Sequence, residues 1–63
     1  MLPKPQLILV GKDGNAFNIL ARASKAARKA GWEQVQIDQF IAEATSGNYD
    51  HLLQTCMKYF EVE

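Results

Sequence analysis

"QLILVGKDGNAF", residues 6 to 17, is the stretch on which the fold turns. Leu7-Ile8-Leu9-Val10 is an apolar run with proline before it and glycine after it, too short for a helix and suited to a buried strand. Gly11 and Gly14 then supply turn geometry, Asn15 is placed to cap a helix, and Phe17 is expected to anchor that helix in the core. The order is therefore strand, glycine turn, helix start. In such a setting the helix N-terminus and a lysine, here Lys12, hold anions, so a nucleotide or small-anion site at Lys12 and Asn15 is an alternative to a simple turn. The spacing, however, matches neither G-x-x-x-x-G-K-[ST] nor G-x-G-x-x-G, and Asp13 opposes a phosphate.

A strand needs partners for its backbone groups. Two are available from the sequence. The C-terminal "YFEVE", residues 59 to 63, alternates in part and as a strand is able to pair within the chain, while a reading as the end of the third helix stays open. Alternatively the "LILV" strand pairs with its copy in a homodimer.

Helical periodicity fills the rest. Residues 15 to 30 are alanine-rich, with Gly31 where a left-handed terminator is wanted; Ala16, Leu20, Ala23, Ala27 and Ala30 form a small-residue stripe. A second helix runs from about Gln34 to Thr45 on Ile37, Phe40, Ile41 and Ala44 and ends at Gly47. Asn48 caps a third, with Asp50 in its first turn and Leu52, Leu53, Cys56, Met57 and Phe60 as its buried stripe. The fold class is thus α+β and mainly helical: one short N-terminal strand and three packed helices. Prolines 3 and 5 make residues 1 to 6 a flexible arm, leaving residues 7 to 63 as a single domain.

Composition bounds the function. The 63 residues are 48% hydrophobic and 22% charged, as expected of a small globular domain and unlike a disordered chain. A domain of this size has a marginal core, which favours help from a partner chain. One cysteine, Cys56, makes neither an internal disulfide nor a zinc site, and it fits a reducing cytoplasm. The apolar runs are too short to span a membrane or to serve as a secretion signal. No cofactor and no metal is implied.

Charge is balanced overall and divided along the chain. Residues 1 to 32 carry Lys4, Lys12, Arg22, Lys25, Arg28 and Lys29 against Asp13, a net +5; residues 33 to 63 carry Glu33, Asp38, Glu43, Asp50, Glu61 and Glu63 against Lys58, a net −5. Arg22, Lys25 and Lys29 share one face of the first helix, with Arg28 beside the small stripe, so a nucleic-acid contact through this basic face is a further alternative. The neutral total, the lack of interleaved aromatics and the absence of a helix-turn-helix pattern count against it. Asp50 and His51 are adjacent, but neighbours on a helix diverge by about 100° and do not form an acid–base pair. Cys56 sits on an apolar stripe, as a core thiol does. These features point away from an enzyme.

With "DGNAF", "GW" and "EATSGNYDHLL" in that order, the chain resembles, over residues 7 to 57, a group of short proteins encoded by bacteriophages and by bacteria, for which no activity is established. The resemblance implies a phage or mobile-element setting inside a cell. Its motifs map onto Asp13 to Phe17, Gly31 and Trp32, and Gly47 with Tyr49 to Leu52. In similar proteins the position of Glu33 is often a small capping residue such as serine; glutamate caps less well, which leaves the start of the second helix open. Turns and caps account for several motif residues. Asp13, Tyr49 and His51 are left as candidates for a shared polar site, beside Lys12 and Asn15. The leading expectation is a small non-enzymatic protein that self-associates and binds a host or phage macromolecule.

Overall fold

The computed structural model describes residues 4–9 and 14–63 of the chain. Five elements follow one another: β1 (Gln6–Leu7), α1 (Ala16–Lys29), α2 (Gln34–Ala44), α3 (Tyr49–Tyr59) and β2 (Glu61–Val62). The protein is a mainly helical α+β domain whose N-terminal strand precedes three packed helices. β2 adds a second strand, so the partner of β1 comes from the same chain. The two strands are parallel, with Gln6 opposite Glu61 and Leu7 opposite Val62. Glu61 N–H donates to the Pro5 carbonyl and Glu63 N–H to the Leu7 carbonyl, both at 2.8 Å, and Leu9 N–H donates to the Glu63 carbonyl.

The arm expected over residues 1 to 6 is therefore shorter at its inner end. Pro5 lacks an N–H but its carbonyl is free to accept, so it joins the ladder that Gln6 continues. The strand also alternates instead of being buried throughout. Leu7 is buried and Leu9 packs against the core, whereas Ile8 is exposed.

Each helix begins and ends where local chemistry dictates. The Asn15 side chain accepts from Phe17 N–H at 2.8 Å to open α1. α1 closes through paired bonds from Gly31 N–H to the Arg28 carbonyl and from Trp32 N–H to the Ala27 carbonyl, each 3.0 Å, with Gly31 at φ +93°. That closure fixes the direction in which Trp32 leaves the helix. Glu33 does start α2: the Gln36 side chain accepts from Glu33 N–H at 2.8 Å, compensating for a poor capping residue. The Asn48 side chain accepts from His51 N–H at 2.9 Å to open α3, with Asp50 in the first turn.

One core gathers Leu7 from β1; Ile19, Ala23 and Ala27 from α1; Ile37, Phe40 and Ala44 from α2; Leu52 and Cys56 from α3; and Phe60 at the junction with β2, whose Val62 packs against it partly buried. Trp32 stacks on Phe60 with ring centroids 5.3 Å apart, and Phe40 meets Phe60 edge-on at 5.2 Å. These rings hold the end of α3 in the position from which β2 reaches β1.

Several expected core residues lie elsewhere. Phe17 is 82% exposed and anchors nothing, because it is two residues from Ile19 and so about 200° around the helix from the buried row. Ala16 and Ala30, at the two ends of the stripe, are also exposed. On α3, Met57 is exposed and Thr55 is buried; the Thr55 hydroxyl donates to the His51 carbonyl at 2.8 Å and so enters the core with its donor satisfied.

Candidate functional site

Of the residues singled out by sequence, Lys12 and Asp13 lie outside the described residues. Asn15 and Tyr49 are brought close together. The Tyr49 hydroxyl donates to the Gly14 carbonyl at 2.5 Å, joining the first residue of α3 to the entry of α1. A shallow groove of about 230 Å³ lies here, lined by Ala16, Leu20, Ala44, Thr45, Gly47, Asn48, Tyr49 and Leu52. It is mostly apolar, and its polar side chains are already engaged in capping and turn bonds.

His51 does not join them. Its Nε2 is 2.8 Å from the Glu43 carbonyl, which accepts only, so Nε2 carries the proton and donates. The Ser46 hydroxyl, 3.2 Å from the same nitrogen, also donates to the Glu43 carbonyl at 2.7 Å. His51 thus ties α3 to the last turn of α2. The Glu43 side chain holds a second tie: its carboxylate accepts from Lys58 Nζ at 2.9 Å and from the Tyr59 hydroxyl at 2.7 Å. Those bonds draw the Glu43 carboxyl below its ordinary range and push the Tyr59 phenol and the Lys58 ammonium above theirs. Burial pushes the Cys56 thiol up, disfavouring the thiolate that nucleophilic chemistry requires. Among the described residues no three of His, Cys, Asp and Glu converge as metal ligands, and no helix is long and apolar enough to cross a membrane.

The basic face lies on the middle and end of α1, beside β1. Two adjoining grooves, of about 350 and 190 Å³, form a furrow between the strand and the helix; both are lined by Gln6, Ile8, Ala26 and Lys29. Arg22 and Lys25 complete the smaller groove. Arg28 is exposed on α1 and lines neither. Among the described residues the one ion pair is Lys58 with Glu43, so Arg22, Lys25, Arg28 and Lys29 have no acidic partner there.

Among the described residues one edge of β1 is unpaired, and it borders this furrow. Pro5, Leu7 and Leu9 turn their backbone groups toward β2, and successive strand residues face opposite edges, so Gln6 and Ile8 turn theirs away. Neither forms a backbone bond there among the described residues. The sequence exposed the problem of a lone strand but not this outcome: an alternation of Ile8 against Leu7 and Leu9 was the signal, and it is hidden because all three are apolar.

Comparison of the chain with models of protein families, with curated protein sequences and with solved structures finds no match.

Proposed function

We propose that the protein is a small non-enzymatic binding protein, acting inside a cell in a phage or mobile-element setting, that engages another macromolecule through the furrow between β1 and α1. One observation carries this: among the described residues, a strand edge without a backbone partner and an exposed Ile8 lie beside cations without an acidic partner. Unsatisfied backbone groups, apolar surface and uncompensated charge are each reasons for a second molecule to bind. The test is an affinity capture from host lysate with the wild-type protein and with Arg22→Glu/Lys25→Glu/Lys29→Glu, both verified as folded. A protein or nucleic acid retained by the first and lost by the second supports the furrow; equal retention refutes it.

A second reading is nucleic-acid binding through Arg22, Lys25, Arg28 and Lys29, favoured by those same uncompensated cations. Its affinity for DNA or RNA would fall steeply with added salt, by counterion release from up to four phosphate contacts. Weak, salt-insensitive binding removes it. Self-association belongs to the proposal too: the pairing of β1 with β2 removes a lone strand as a reason for it, while the small core and the divided charge remain. Light scattering behind size-exclusion chromatography decides it, a strict monomer at high concentration being the negative result. The anion site at Lys12 and Asn15 has less support, since the Asn15 side chain caps α1.

A further inference from the structure

We propose that the furrow takes an extended, acidic segment of a partner protein as a third strand, laid along the free edge of β1. This rests on the binding role just described and names the occupant of the same site.

Three features select that occupant. Gln6 and Ile8 offer two N–H donors and two carbonyl acceptors in strand geometry, a pattern that an extended polypeptide backbone matches and a nucleic-acid backbone does not. Arg22, Lys25 and Lys29 stand beside this edge with no acidic partner among the described residues, so acidic side chains on the incoming strand are favoured. A second copy's β1 would bring the same three cations with it and be repelled. Third, the segment already bonded to the other edge of β1 is β2 with the following Glu63, and Glu61, Val62 and Glu63 alternate acid and β-branched residue. β1 thus already accepts a strand of this composition on one of its edges.

The probe is a synthetic acetylated and amidated pentapeptide, Glu-Val-Glu-Val-Glu, titrated into the isotopically labelled full chain at low salt. The expected result is a saturable movement of the Gln6, Ile8, Ala26 and Lys29 amide signals, with Glu61 and Glu63 little changed. A Lys-Val-Lys-Val-Lys peptide should leave all of them in place. Arg22→Glu/Lys25→Glu/Lys29→Glu should weaken binding about tenfold or more. Ile8→Pro should weaken it as well, because it removes a donor aimed at the furrow and none that β2 uses. Both variants are scored only with the helical spectrum of the wild type; if Ile8→Pro does not fold, the charge variant and the lysine peptide still decide.

Movement centred on Glu61 and Glu63 would mean that the peptide displaces β2, and would overturn the inference. Concentration-dependent broadening at Gln6 and Ile8 without peptide would make a second copy the occupant and overturn it. A single-stranded oligonucleotide that moves Arg22, Lys25 and Lys29, where the peptide moves nothing, would overturn the acidic-strand inference and leave the binding role standing. If the peptide and the oligonucleotide both move nothing and lysate capture is equal for wild type and charge variant, both proposals fail.

Discussion

Gly47 is held without a side chain by its neighbour: a Cβ there would lie 2.8 Å from Cγ and 2.9 Å from Cβ of His51. His51 cannot yield easily, because its ring is bonded to the Glu43 carbonyl and its N–H to the Asn48 cap. Gly47→Ala should lower stability by about 1–3 kcal/mol, read as a lower urea midpoint with unchanged slope. Glu43 sets a pH response. Its folded-state pKa is lowered, so its contribution is complete above the unfolded carboxylate pKa and is lost as pH falls through the folded value. The Tyr59 phenol is raised, so its contribution is present below the unfolded phenol pKa and is lost as pH rises through the folded one. Glu43→Gln should flatten the stability profile at both extremes, measured by urea unfolding across pH. At this scale the sequence is legible where a residue acts on its own backbone, as Asn15, Gly31 and Asn48 do. It is silent where the partner is remote: nothing in "YDH" foretells that Tyr49 reaches Gly14 or that His51 reaches Glu43.

Helices were easier to read than the strand pair for a physical reason. A helix satisfies its own backbone, so caps and periodicity mark α1, α2 and α3 locally, including the start of α2 once Gln36 is seen to assist Glu33. A strand is specified by what lies beside it, and β1 and β2 are at opposite ends of the chain. Apolar character misled at Phe17 and Met57, which are exposed, whereas the i, i+4 row Ile19-Ala23-Ala27 is what α1 buries. The sheet register itself is testable by proline. Glu63→Pro deletes the N–H that reaches the Leu7 carbonyl and should cost about 1 kcal/mol, while Val62→Pro removes an N–H that faces away from β1 and should cost less. Amide exchange at Leu9 should accelerate more in the first variant than in the second. Among the candidate site residues, Arg22, Lys25 and Lys29 were visible as one helix face, but that this face borders a strand edge depends on how α1 packs against β1.

For the molecule as a whole, size sets the margin. A chain of 63 residues has about 3–9 kcal/mol of stability at the usual 0.05–0.15 kcal/mol per residue. Phe60 is fully buried against Trp32 and Phe40 and joins α3 to β2. Phe60→Ala, at about 3–5 kcal/mol, should remove most of that margin and leave the chain largely unfolded at 37 °C. Loss of cooperative thermal unfolding followed by Trp32 emission would report it, and a sharp transition near that of the wild type would show that the aromatic cluster matters less than its packing implies. The radius of gyration, 10.7 Å, is that of a fully collapsed chain of this length, about 10.6 Å. The separation of charge along the sequence is only partly answered inside the fold. Lys58 finds Glu43, but the cations of α1 find no acid among the described residues.

The parallel pairing of β1 with β2 also fixes how the molecule bears mechanical load. Because the strands run in the same direction, tension applied at the two ends of the chain pulls β1 backward and β2 forward, sliding one along the other. The bonds from Glu61, Glu63 and Leu9 are then strained together and not opened one at a time. The domain therefore meets stretching first through its smallest element, before the load reaches the packed helices.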